Sequence, residues 1–176
     1  MSGHNKWSKI KHKKAASDAS KSKTFGKLAR MIAVESKRAG GDESAPSLRA
    51  AIEKARVENM PKENIERAIA KGAGGESENL EMVVYEAYVP GGSALIIEAL
   101  TDNRNRTASE IKHILSKHGV ELASPGSAAW AFEKTDGIYK PKTTVKLADT
   151  DREKVDLLSG ALAEHDDVDS VYTNAQ

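Results

Sequence analysis

Nine basic side chains crowd the first thirty residues: Lys6, Lys9, Lys11, Lys13, Lys14, Lys21, Lys23, Lys27 and Arg30, against the single acid Asp18. Most of their spacings are two to four residues, which suits a polyanion with densely repeated charge. Each lysine that neutralises a nucleic-acid phosphate releases condensed counterions, so such a segment binds by a salt-dependent, largely sequence-independent term. Trp7 and His12 stand among these cations, and an aromatic in that setting can stack on an exposed base. Two plainer readings stand beside this one: a solubilising tail, or ion pairing with the acidic C-terminal half. Serine and glycine spacers, with so little acid, favour phosphate.

A second anion-binding candidate is Thr101-Asp102-Asn103-Arg104-Asn105-Arg106-Thr107. A strand-to-helix loop there would bring backbone N–H groups together with Arg104 and Arg106. The alternative is a turn built by Asp102 and Asn103 that leaves both arginines solvated.

Other chemistries find little support. Cysteine is absent, which removes disulfides, thiolate nucleophiles and cysteine-based zinc sites together. Lys71-Gly72-Ala73-Gly74-Gly75 follows a helix and lacks the phosphate-loop spacing, so it reads as a linker. The histidines His4, His12, His113, His118 and His165 show no metalloprotease spacing. Asp166, Asp167 and Asp169 read as a solvated turn. No catalytic residue, metal site or cofactor is nominated, and the chain is expected to be a non-enzyme.

The net charge of +1 hides a dipolar chain, basic up to Arg30, balanced to Glu76 and acidic beyond. No apolar run reaches the roughly 20 residues that span a bilayer, and no secretory h-region opens the chain. The expected location is the cytoplasm, without a membrane partner.

The elements that must position these residues follow from periodicity and punctuation. Met1 to Ala16 reads as an arm, extended or briefly helical. A helix capped by Ser17 or Asp18 follows, with Phe25, Leu28, Ala29, Ile32 and Val34 inward, and stops at Gly40-Gly41. Pro46 and Pro61 open two more helices, presenting Leu48, Ala51, Ile52 and Ala55, then Ile65, Ala68 and Ile69. Short loops between three amphipathic helices imply a small bundle within residues 1–75. Residues 76–176 then read as strands Met82–Val89 and Ala94–Thr101, a helix capped by Thr107, strands Ser127–Glu133 and Thr143–Leu147, a helix from Thr150, and a strand Val168–Thr173. This ββαββαβ order predicts an α+β class, a sheet with helices on one face like a ferredoxin-like sandwich.

The run Ser2-Gly3-His4-Asn5-Lys6-Trp7-Ser8-Lys9-Ile10-Lys11-His12-Lys13-Lys14 resembles the opening signature of the YebC/PmpR family, which includes the mitochondrial translational activator of cytochrome c oxidase subunit I. The resemblance continues through Lys23-Thr24-Phe25, Asn59 to Ile65, Tyr85-Glu86, Pro90-Gly91-Gly92, Thr101 to Thr107, Gly126-Ser127, Asp166-Asp167-Val168 and Val171 to Ala175. It implies a shortened member: the family's inserted third domain would fall near residues 135–142, where only Thr135 to Lys142 stand. It also implies a gene-expression role, either as a DNA-binding transcriptional regulator or as an RNA- or ribosome-associated translation factor. A protein-binding adaptor without nucleic-acid contact is the rival class. Carried over by position, the resemblance points to Lys6 through Lys14 and to Arg104 and Arg106.

Overall fold

The computed structural model describes residues 4–75, 79–135 and 137–176, with side chains from residue 18 onward. The chain forms two compact units, Met1–Gly75 and Glu76–Gln176.

The first unit is helical. α1 spans His4–Ala39 as one unbroken helix, so no new helix starts at Ser17 or Asp18 and the segment up to Ala16 is not a separate extended arm. The reason is compositional. Between Asn5 and Phe25 there is neither glycine nor proline, and alanine and lysine carry high helix propensity. The helix ends where expected, at Gly40 and Gly41, whose φ values are +59° and +83°. The Gly41 N–H donates back to the Ser36 carbonyl at 2.9 Å, satisfying one of the free terminal acceptors.

α2 (Pro46–Val57) follows Ala45, whose ψ of 130° is the extended conformation a residue before proline prefers. α3 (Lys62–Ala73) starts after Pro61. Leu28 and Ile32 of α1, Leu48, Ala51, Ile52 and Ala55 of α2, and Ile65 and Ala68 of α3 close one core together with Met60. Among the described residues Phe25 is the first of α1 to join it. Gly72 is part of α3 rather than linker. A Cβ there would lie 2.2 Å from the Ala33 carbonyl oxygen of α1. At this close crossing the Ser36 hydroxyl donates to the Ile69 carbonyl at 2.7 Å.

The second unit is α+β. β1 (Glu81–Val89) and β2 (Ser93–Thr101) form an antiparallel hairpin in the register Glu81↔Thr101 to Val89↔Ser93, joined by a 3₁₀ turn at Pro90–Gly92. β5 (Val168–Thr173) pairs antiparallel with the other edge of β2, giving the order β1-β2-β5. α4 (Arg104–Lys117) and α5 (Asp149–Ala163) supply Ile111, Leu115, Val155, Leu158 and Leu162. These pack on Val83, Tyr85, Ala87, Leu95 and Ile97 from one face of the sheet. All nine residues of β2 are buried, because the opposite face is covered as well. There Ala94 and Ile96 meet Ala128, Ala131 and Phe132.

The ββαββαβ order holds, but the strands divide between two sheets. β3 (Phe132–Thr135) and β4 (Ile138–Pro141) form their own hairpin. Neither Ser127–Glu133 nor Thr143–Leu147 is a strand as expected. Ala129–Ala131 instead makes a 3₁₀ turn, and Val145 makes one isolated parallel bridge to Ala175. Glycine at 137, with φ +79°, turns the chain so tightly that pairing resumes at Ile138.

Candidate nucleic-acid interface

The basic cluster lies on α1. Lys6, Trp7, Lys9, Lys11, His12, Lys13 and Lys14 belong to its N-terminal turns, and their side chains lie outside the described residues. Lys21 is exposed, and Lys23, Lys27 and Arg30 are half-buried. One helix therefore carries all nine predicted cations, and among the described residues Phe25 is where it begins to contribute to the bundle core.

Arg104 and Arg106 are placed differently from the expectation. They occupy the first turn of α4, not a loop, and the helix is capped by Asn103 rather than Thr107. The Asn103 Oδ1 accepts the Arg106 N–H at 3.1 Å, as a side-chain oxygen at an N-cap does. Thr107 is fully buried; its hydroxyl bonds Thr101 Oγ1 at 2.8 Å and donates to Asp167 Oδ2 at 2.7 Å.

The anion facing this helix start is internal. Arg106 Nη2 donates to Asp167 Oδ2 at 2.9 Å and to Asp102 Oδ1 at 2.8 Å. These hydrogen bonds, that of Asp167 first, raise the guanidinium pKa further above its already high ordinary value. Arg104 reaches Glu81 at 3.8 Å. Asp167 is thus no solvated turn residue: it is 7% exposed and anchors the segment before β5 to the start of α4.

His165 joins the same network. Its Nδ1 accepts the Asp167 N–H at 3.1 Å, so Nε2 carries the proton shared with Glu110 Oε2 at 2.8 Å. Glu110, His165 and Asp167 bring three ligand-type atoms within 4.8 Å of one another. Arg106 donates into Asp167 and lies 4.0 Å from Glu110, so its positive charge already faces both acids.

Three further polar constellations had only faint sequence signals. Glu86, 6% exposed, turns its carboxylate onto the loop between α4 and β3. Oε1 accepts the Gly126 N–H at 2.6 Å, and Oε2 accepts those of Ala128 and Ala129 at 2.7 and 2.9 Å. Glu98, buried in β2, accepts from Lys134 Nζ at 2.7 Å and from the Tyr172 hydroxyl at 3.2 Å. The lone acids in Val83–Ala87 and in Ala94–Leu100 were the available clue, because an acid in an apolar strand needs a buried partner. The third is Trp130, 62% exposed, with its indole N–H donating to Tyr88 Oη at 2.8 Å.

Burial pushes the Tyr172 phenol up to about 12; the Ser170 hydrogen bond pulls it back, and the Glu98 charge adds to the rise. The folded state therefore holds this proton more tightly than the unfolded chain, whose phenol has the ordinary value of 10.0. That contribution is present in full below pH 10 and is lost as pH rises towards 12. Urea midpoints of wild type and Tyr172→Phe measured across this window should converge as pH rises; a gap that stays constant would refute the linkage.

Comparison with known proteins places the chain among its relatives. Residues 5–75 match the family pattern described as "TACO1/YebC protein N-terminal domain", and residues 80–139 match "TACO1/YebC second and third domain". A "Probable transcriptional regulatory protein" of Fervidobacterium nodosum is 43% identical over 235 positions, covering 99% of this chain and 93% of the relative. Proteins of the same name from Thermotoga petrophila and Thermosipho africanus are each 56% identical, over 83% and 85% of this chain. The chain spans only 58% and 59% of the length of those two relatives. An alignment of 235 positions against a chain of 176 residues leaves at least 59 positions, the difference of the two, where this chain has no residue. The crystal structure of a conserved hypothetical protein from Aquifex aeolicus superposes with a TM-score of 0.77 at 34% identity, covering 90% of this chain and 91% of that one. Matches over both units, in order and at these identities, show that the chain belongs to the TACO1/YebC family.

Proposed function

We propose that the chain is a non-catalytic, nucleic-acid-binding regulator of gene expression that acts in the cytoplasm, with α1 as its phosphate-binding element. The observation that carries this reading is the segregation of nine cations against one acid onto a single helix, between Lys6 and Arg30. The names of the relatives, which describe transcriptional regulators, support it. Among the described residues no helix is long and apolar enough to cross a membrane.

Lys6, Lys9, Lys11, Lys13, Lys14, Lys21, Lys23, Lys27 and Arg30 would hold phosphates, with Trp7 and His12 among them. Such contacts set affinity and position rather than sequence. Arg104 and Arg106 could add contacts only by exchanging their carboxylate partners, so their contribution is the smaller. The two units correspond to the first two domains of a longer family member, with the β3–β4 hairpin standing where the third would be inserted.

A second reading, an RNA- or ribosome-associated translation factor, is favoured by one observation. The arginines at the start of α4 are engaged by Glu81, Asp102 and Asp167 instead of being presented for base reading. Affinity for duplex DNA and for structured RNA, measured against salt with and without residues 1–14, tests both. Deletion should weaken binding and shrink the slope of log affinity on log salt by about 0.7 to 0.9 for each phosphate no longer neutralised. The preferred nucleic acid decides between transcription and translation. Unchanged affinity would sink the proposal and leave an adaptor that docks on a protein.

A further inference from the structure

Trp130 is an unusual residue to leave in solvent. It sits in the 3₁₀ turn Ala129–Ala131, between the loop held by Glu86 and the start of β3. The residue is 62% exposed, yet its ring is not loose. The indole Nε1–H donates to Tyr88 Oη at 2.8 Å, and the Tyr88 hydroxyl in turn donates to the Ser127 carbonyl at 2.5 Å. Tyr88 belongs to β1, so the ring is tied to the sheet as well as to its own turn.

This bonding selects among partners. An indole that anchors a protein interface generally sinks into a pocket and gives its N–H to a partner group. Here the N–H is already spent within the chain, and what remains is the flat π surface. A surface held in place before binding loses little freedom when something stacks on it. The partner that offers a flat π face and needs nothing from the indole edge is an unpaired nucleobase.

The surrounding charge agrees. The Lys142 N–H donates to the carbonyl of Ala131, the residue after Trp130, at 2.8 Å. That bond brings the chain at Lys142 beside the turn. Lys140 pairs with Glu133 across the hairpin. Lys140 and Lys142 are both exposed. Glu133 offsets part of their charge, and Lys134 is bound to Glu98. Lys142 is thus the cation best placed for the phosphate next to a stacked base.

We infer that Trp130, held by Tyr88 and flanked by Lys142, is a stacking platform for an unpaired base of single-stranded nucleic acid. The inference rests on the nucleic-acid reading above. It adds to α1 a site that discriminates single strands from duplexes, since duplex bases are already stacked on one another.

The test uses the full chain carrying Trp7→Phe, which leaves Trp130 as the sole indole. The probes are an unstructured single-stranded RNA, a single-stranded DNA of matching sequence, and the corresponding duplexes. Binding of single strands should quench Trp130 fluorescence. Trp130→Ala should weaken single-strand affinity by roughly 5- to 150-fold, the equivalent of about 1–3 kcal/mol for one stacked base, and leave duplex affinity unchanged. Trp130→Phe, which keeps a ring, should retain most of the affinity. If single strands bind the variant as well as they bind the parent protein, the platform is wrong and the role of α1 stands. An equal loss on single strands and duplexes would also overturn stacking. If no probe binds the wild-type chain, both readings fall. If Trp130→Ala changes only self-association in sedimentation, the ring is a protein contact and the inference is overturned.

Discussion

Glu86→Ala should destabilise the second unit by about 3 kcal/mol or more. The substitution orphans three backbone donors, those of Gly126, Ala128 and Ala129. Each buried unsatisfied group costs about 1–3 kcal/mol. The lower figure is apt here because Gly126 is exposed and can reach water, whereas Ala128 is fully buried. The segment released is the one that covers Ala94 and Ile96 of β2. Glu86→Gln keeps one acceptor oxygen but turns an amide donor towards N–H groups, so it should fall between alanine and wild type. Urea unfolding followed by Trp130 fluorescence, in the Trp7→Phe background, reports on this region directly. A shift worth less than about 1 kcal/mol would mean that the loop is held by its apolar contacts instead.

Gly72→Ala should destabilise the helical unit by about 1–3 kcal/mol, the usual cost of overpacking. In an unobstructed helix the same exchange gains up to about 1 kcal/mol from propensity. Here the new Cβ would fall 2.2 Å from the Ala33 carbonyl oxygen and 2.7 Å from the Ser36 Cβ. Backbone cannot move aside as a flexible side chain can, so α3 must shift away from α1. That shift also stretches the Ser36–Ile69 hydrogen bond. Gly26→Ala is the control: it lies inside α1 with nothing within 4 Å of its Cβ, and should stabilise. Thermal unfolding of the two variants should move in opposite directions, and a stabilised Gly72→Ala would show that the crossing is looser than these distances imply.

The legible parts of the fold were those written in periodicity and punctuation. Leu48, Ala51, Ile52 and Ala55 recur at helical spacing and end up in the core; Pro46, Pro61 and Gly40-Gly41 mark real ends. The misplaced α1 start has a different cause, since a helix can continue through a segment with almost no apolar pattern when nothing in it breaks the helix. Strands β3 and β4 were misplaced because Ala128 and Ala129 spend their N–H groups on Glu86, some forty residues away in sequence. No local signal announces that partner. The same holds for Arg106, whose loop reading missed Asp167 because 61 residues separate them. The nine cations of α1 were visible at once, since linear charge density needs no tertiary information. Trp130 was not, because the Tyr88 hydroxyl that fixes its indole comes from β1, 42 residues earlier.

The position of β2 also bears on the order of assembly. Its hairpin with β1 is local, but its other edge waits for β5, with Leu95 opposite Thr173. The Ala94 N–H is likewise closed by the Asn174 side chain, 80 residues on, at 2.7 Å. Helices with short connections condense early, whereas distant strand pairs pay loop-closure entropy first. As the chain emerges during synthesis, α1 to α3 can therefore condense while β2 still presents an open, apolar edge. That edge is sealed only after residue 174 has been made, which makes the interval before β5 docks the period of greatest exposure to aggregation. Once it is sealed, the amide hydrogens of β2 should be the slowest in the protein to exchange with solvent.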